Sequence, residues 1–200
     1  MKNPRSILAK ISAAVVIVLA IGTAALAKGH SDPAFSNIHI RNFGKMDDRF
    51  YRGAQPDESD YKDLKALGIR TVIDLTDHPT SYEKRDAEAL GMRYVSIPMS
   101  DSSYPKQESI DAFLKLVNDP ATGKFFAHCA GGRHRTGVIG AVYRFNVNHW
   151  NLDQVYAEMK DYDFFTRFGH GDLKTFVEDY AQKMQTNSAA ATSSTSQKNR

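Results

Sequence analysis

The sequence contains one cysteine, Cys129, and a lone thiol cannot close an internal disulfide. No Gly-Lys-Ser/Thr run follows its glycines, which excludes a Walker-type nucleotide loop. Histidines, carboxylates and the thiol show no metal-ligand spacing, and neither a metal nor an organic cofactor is expected. There is no internal repeat. Acidic residues are missing from residues 1–27, which carry Lys2, Arg5 and Lys10. Beyond that segment the chain holds 23 basic and 23 acidic residues, so its formal charge of +3 belongs to the N-terminus alone. A nucleic-acid binder carries a basic bias across its domain. None remains here, and no nucleic-acid partner is expected.

What is present begins with a leader. The three basic residues precede an uncharged, mainly apolar run, Ile11–Leu26, and Ala25-Leu26-Ala27 offers a small-x-small cleavage point before Lys28. These are the parts of a secretory signal peptide. The run is short for a spanning helix, which needs about 17–25 apolar residues, but an uncleaved anchor is the alternative. Either reading places the rest of the chain outside the cytoplasm, in the periplasm, with membrane contact through this segment if it stays attached. A lone thiol in an oxidising compartment is a liability unless it is buried or used.

Residues 28–38 read as a linker, 39–184 as one folded domain and 185–200 as a disordered tail of Ser, Thr, Ala, Asn and Gln. A hydrophobic share of 42% is enough to build one core. Strands are expected at 39–43, 49–51, 69–75, 92–97 and 124–129, where β-branched and aromatic residues gather. Helices are expected at 57–67, 82–90, 106–118, 136–150, 152–162 and 172–184 from their apolar spacing and glycine stops. Alternating strands and helices imply an α/β fold with a central, mainly parallel sheet flanked by helices.

The stretch from Lys124 to Trp150 reads as strand, glycine-containing loop, helix. Such a loop turns successive backbone N–H groups into one concavity, and the following helix adds unpaired N–H groups and the positive end of its dipole. That is a site for an anion. Cys129 ends the strand, where the same field stabilises a thiolate, the nucleophilic form. Arg135, six positions on, can return its planar fork over a bound phosphate. Gly131 and Gly132 permit backbone angles closed to other residues. The Thr136 hydroxyl can reach the sulfur, and His128 can hold the loop and assist thiolate formation.

The residues His128-Cys-Ala-Gly-Gly-Arg-His-Arg-Thr-Gly137 resemble the His-Cys-x5-Arg-Thr-Gly signature of the protein tyrosine phosphatase superfamily. Gly132, three after the cysteine, resembles the dual-specificity branch. The His134–Gly137 end is similar to atypical plant and fungal members that act on phosphoproteins or inositol pyrophosphates. Phe50–Pro56 (FYRGAQP), Leu67–Leu75 (LGIRTVIDL) and Ile97–Asp101 (IPMSD) recur in small bacterial phosphatases of this type, so the resemblance spans roughly residues 48–180. It implies phosphate-monoester hydrolysis through a cysteinyl-phosphate. Cys129 would attack, while Arg135 and the loop Ala130, Gly131, Gly132, Arg133 and His134 would hold the phosphoryl group. A rhodanese-like sulfur carrier also uses a cysteine loop, but His128 and Arg135-Thr136 favour the phosphatase. A phosphate-binding module without turnover would have little use for the thiol.

The resemblance also implies an aspartate acid about 30 residues before the nucleophile. Asp101, 28 positions before Cys129, fits that role and also fits a turn. Asp74, Asp77 and Asp111 are weaker candidates. Arg52 reads as a brace for the site more than a substrate contact. Arg133 and His134 are expected to add positive charge at the loop mouth, which would suit a polyanion. Ala130 stands where phosphoinositide-specialised members often place lysine. Trp150, Tyr162, Phe164, Phe165 and Phe168 are expected to pack the core and helices. The substrate is expected to be a phosphorylated protein or a small phosphate ester, with inositol (poly)phosphate or phosphoinositide as the alternative.

Overall fold

The β-branched and aromatic runs become the middle of a five-stranded sheet. In the computed structural model, which describes residues 35–198 with side chains through Asn187, the strands are β1 (Gly44–Lys45), β2 (Phe50–Ala54), β3 (Thr71–Asp74), β4 (Arg93–Ser96) and β5 (Phe125–Cys129). Their order is β1-β2-β5-β3-β4, parallel throughout except for β1 against β2. The leader expected over residues 1–27 and the first part of the linker lie outside the described residues. Among those described, no helix is long and apolar enough to cross a membrane.

The strands β2, β3 and β5 are buried along their whole length, as expected for parallel strands covered on both faces. Alternate side chains serve two cores. Phe50, Ile73, Phe125, Ala127 and Cys129 face one, and Tyr51, Val72 and Phe126 face the other. The first core is closed by α3 (Gln107–Asn118), α4 (His134–Tyr143), α5 (Leu152–Asp161) and α6 (Gly171–Lys198). The second is closed by α1 (Asp60–Ala66) and α2 (Ser81–Ala89), together with Phe35, Ile38 and Phe43. The chain therefore leaves β5 toward one face and leaves its neighbours β2 and β3 toward the other. In open α/β sheets that reversal opens a crevice at the carboxyl ends of the strands. Cys129 ends β5 there.

Four expectations are corrected. Residues 39–43 form a turn rather than a strand, because Asn42 adopts a left-handed backbone at φ 52°. The domain begins before His39, since Phe35 stacks edge-on against Phe43 and Tyr51. The helix expected to Trp150 ends at Tyr143 and passes into a π-helical turn, Arg144–Asn148, where Asn146 donates its side-chain amide to the Val142 carbonyl. The last helix also runs past Met184 to Lys198, through residues expected to form a disordered tail. Extending a helix adds one hydrogen bond per residue fixed, and the Ala189–Ala191 run favours it.

Phe125 is fully buried and stacks on its register partner Phe50 at 4.7 Å, with Tyr143 and Phe113 edge-on. Phe125→Ala should lower the unfolding free energy by about 3–5 kcal/mol, read from the midpoint of urea denaturation at constant slope.

Candidate active site

The loop between β5 and α4 is held open from behind. The buried Arg52 donates from Nη2 to the Gly132 carbonyl at 2.7 Å, and its guanidinium lies 3.9 Å over the Tyr162 ring. Asn42 donates to the Gly131 carbonyl at 2.8 Å. With these carbonyls fixed outward, the loop N–H groups turn inward. Gly132 sits at φ 67°, and a Cβ there would lie 2.5 Å from the backbone of Gly53 and Ala54, so no other residue fits. Arg52 is thus the brace the sequence suggested. Asn42, on a turn far away in sequence, carried no signal that could have found it.

Cys129 is 3% exposed. Burial pushes its thiol up, but the Thr136 hydroxyl, the Thr136 and Gly131 backbone N–H groups and the Arg135 charge more than offset it, and the thiol titrates below its ordinary value. The Thr136 hydroxyl is fully buried and has no other partner. No side chain caps α4 at Arg133, so the first-turn amides of the helix remain available to an anion.

Arg135 is oriented by two acceptors on other loops. Its Nη1 donates to Asp77 at 2.8 Å and to the Met99 carbonyl at 3.3 Å. Its Nε is buried without a partner, a donor suited to a phosphate oxygen. Burial raises the Asp77 carboxyl, yet bonds from its own backbone and from Arg135 hold it below the usual range. Asp77 is therefore an ionised group that aims Arg135, which argues against its service as an acid. Asp111 bonds Gln107 on the exposed face of α3.

His128 is fully buried, but its ring leaves β5 on the face opposite Cys129, stacked on Phe126 at 5.6 Å. Whatever it does for the sulfur runs through the strand backbone rather than the ring. Its Nε2 lies 3.0 Å from Glu83 and its Nδ1 4.0 Å from Asp74. No spacing along the chain marks this trio, yet their ligand atoms all fall within 4.8 Å. The geometry is that of a brace. The two ring nitrogens face different carboxylates, Glu83 already accepts from Tyr61 and Thr80, and Asp74 from Thr76 and Tyr94.

At the mouth the expected charge is reduced. Burial, with neighbouring His170 next in effect, presses His134 down to about 4, so its ring is neutral at ordinary pH. Arg133 lies 3.7 Å from Asp163. The rim is aromatic instead. Phe165 meets His134 edge-on at 4.4 Å and Phe168 at 6.3 Å, and Phe168 is 84% exposed. Phe168 therefore departs from its expected packing role, whereas Trp150, Tyr162 and Phe164 keep theirs, Trp150 lying under Arg144 at 4.1 Å. Asp101 is exposed on the loop after β4, with its carbonyl 2.6 Å from His170 Nδ1. Ala130 lies exposed beside the sulfur-bearing residue.

A buried cysteine at a strand end, an inward ring of amides and an arginine in the same concavity define a cysteine-dependent phosphatase. The sequence model of the tyrosine phosphatase family matches residues 37–199, and the chain belongs to that family. It is 26% identical to a probable tyrosine-protein phosphatase, DG1060, of Dictyostelium discoideum, over 72% of this chain and 86% of that one. It is 30% identical to the rice inositol diphosphatase DSP1, over 58% of this chain and 54% of the relative. It is also 30% identical to the dual specificity protein phosphatase TpbA of Pseudomonas aeruginosa, over 66% of this chain and 56% of the relative. The crystal structure of P. aeruginosa TpbA superposes with a TM-score of 0.61 at 23% identity, covering 76% of this chain and 88% of that one, and shows the shared fold. The chain is a phosphatase of the tyrosine and dual-specificity kind.

The lowered thiol has a measurable consequence. Alkylation of Cys129 by iodoacetamide should stay fast at pH values where an ordinary thiol, titrating near about 8.5, has become slow. Thr136→Ala should move the alkylation midpoint upward. It should also slow turnover about tenfold or more, the loss expected for a hydrogen bond to a charged atom.

Proposed function

We propose that this phosphatase is an exported protein tyrosine/dual-specificity phosphatase acting on phosphorylated protein. Cys129 attacks phosphorus, and the bond to the leaving oxygen breaks. Arg135 and the amides of Ala130–Arg135 take up the charge on the transferring group. Asp101 gives its proton to the leaving oxygen, then accepts one from the water that hydrolyses the cysteinyl-phosphate. Thiol and acid are thereby restored.

The observation that carries the substrate class is the aromatic rim. With His134 neutral, Arg133 beside Asp163 and Ala130 after the nucleophile, the cation left at the aromatic rim is Arg167, 5.8 Å over Phe165 and 5.9 Å over Phe168. Phe165 and Phe168 offer ring faces, which suit an aryl phosphate better than an inositol polyphosphate, whose charges call for lysines and arginines. The likeness to inositol diphosphatases keeps that substrate as the comparison arm. With reductant present, kcat/KM on a phosphotyrosyl peptide should exceed that on inositol polyphosphates at least about tenfold, or 1.4 kcal/mol. Faster turnover of the inositol phosphates would reverse the assignment. Cys129→Ser should abolish the product burst, and a wild-type protein that binds phosphate without a burst would be a binding module.

Export is supported by the basic start, apolar run and Ala25-Leu26-Ala27 site. Expressed with residues 1–27, the protein should appear in the periplasmic fraction beginning at Lys28. Retention of Met1 in the membrane pellet would identify an anchor, and a cytoplasmic product would remove the export reading.

A further inference from the structure

We infer that His170 is a positioning residue that seats the Asp101 loop on the phosphate-binding loop. The inference rests on the reading of Asp101 as the acid.

Asp101 lies on an exposed turn, where the Ser100 hydroxyl accepts from the backbone N–H groups of Ser102 and Ser103. Turn hydrogen bonds shape such a segment but do not fix where it sits. Placement requires contacts to the rest of the molecule. Met99 supplies one through its carbonyl on Arg135. The second is at Asp101 itself, whose carbonyl is 2.6 Å from His170 Nδ1. A carbonyl only accepts, so Nδ1 carries the hydrogen and donates.

The same imidazole lies flat on His134, with centroids 3.6 Å apart and planes within 16°. His134 is the first residue of α4 and the immediate neighbour of Arg135. Phe165 meets both rings of the pair edge-on, at 4.4 Å to His134 and 5.5 Å to His170. His134 also hydrogen-bonds the Phe165 backbone. One ring thus touches the acid loop by a hydrogen bond and the phosphate loop by stacking.

The backbone leading to His170 is bent to deliver it. Phe168 and Gly169 both have left-handed φ values, 58° and 89°. For an aromatic residue that conformation is unfavourable and persists where surrounding contacts enforce it. Phe168 is 84% exposed, so its own side chain gains little burial in return. Phe165 meets Phe168 edge-on at 6.3 Å, and the bend carries the next residue, His170, to its contacts with Asp101 and His134. The charged groups facing the ring pair are the Asp101 carboxylate and Arg133, with Asp163 beside Arg133 and Arg167 over Phe165 at 5.8 Å. Because His134 is neutral until about pH 4, the stack does not place two cations face to face at working pH.

A residue that seats the acid should act on leaving groups that need a proton and spare those that do not. The readout is kcat/KM, which reports the steps up to the cysteinyl-phosphate, on phenyl phosphate relative to 2,4-dinitrophenyl phosphate. His170→Ala should lower that ratio about tenfold, a part of the 10²–10⁴-fold worth of general acid catalysis. Asp101→Asn in the same assay should lower it further. His170→Phe, which keeps a ring but no donor, should behave like His170→Ala. His170→Asn, which keeps an N–H donor near Nδ1, should recover part of the ratio. Circular dichroism and melting temperature establish that each variant folds.

An undiminished ratio in both His170→Ala and His170→Phe, with Asp101→Asn still discriminating, would overturn the role of His170 and leave that of Asp101 intact. Equal loss on both esters would assign His170 to general structure and overturn the proposal as well. A ratio insensitive to Asp101→Asn would instead remove Asp101 as the acid, and with it the seat proposed for it.

Discussion

The buried guanidinium of Arg52 holds the Gly132 carbonyl at 2.7 Å, and the shape of the phosphate loop depends on that contact. A charge taken out of water is expensive unless its donors are used. Here the cost is partly offset by the Gly132 carbonyl and by the ring of Tyr162 beneath the cation. Fixing carbonyls on the outside of a tight loop forces N–H groups to the inside. With the Thr136 hydroxyl and the Arg135 charge, those amides lower the Cys129 thiol against the pull of burial. Gly132 completes the constraint, because the loop passes so close to β2 that a single methyl would collide with backbone. Sheet, brace and loop therefore form one rigid unit, and the nucleophile is preorganised before substrate arrives.

Around that unit the remaining groups are held from other elements. Asp77, beyond β3, and the Met99 carbonyl, beyond β4, both aim Arg135. Glu83 on α2 and Asp74 on β3 enclose His128. The strand that ends in Cys129 is thus pinned by polar contacts on one face and by aromatic packing on the other. Buried polar groups of this kind are tolerable because each carboxylate is bonded by hydroxyl or amide donors. Loss of one member would leave its partners unsatisfied in a dry site, so the trio behaves as a unit.

The sequence made some of this legible and not the rest, for physical reasons. The cysteine, the arginine, the glycines and the threonine of the loop are contiguous, and local geometry alone forces them together. The strand pattern and helix spacing pointed to the α/β sheet because periodicity is a local property. Arg52 could be read as a brace because it lies in the Phe50–Pro56 segment that carries the family resemblance. Asn42, Glu83 and His170 could not be assigned, since each reaches the site from a separate element and nothing local marks it, and Asp77, a weaker acid candidate in the sequence, is found instead to aim Arg135. The charge expected of His134 failed for the same reason: proximity to His170 and burial against Phe165 are tertiary facts that reverse the ordinary behaviour of an imidazole. Phe168 was misjudged because an aromatic residue usually packs, and here a left-handed backbone turns it outward.

The features that activate the thiol also expose it to a second chemistry. Thiolate is the form that attacks a peroxide oxygen, displacing hydroxide to leave a sulfenic acid, as well as the form that attacks phosphorus, so a lowered thiol favours both reactions together. The chain holds no second cysteine, and a sulfenic acid formed at Cys129 has no internal thiol with which to condense. Its shielding is therefore geometric. Cys129 is only 3% exposed, which restricts access by a thiol carried on another folded protein. Outside the cytoplasm, where the leader would send it, recovery of the sulfur would depend on small reductants of matching size. Activation and vulnerability share one origin in the loop amides, Thr136 and Arg135. Removing any of those donors weakens the thiolate for both reactions at once.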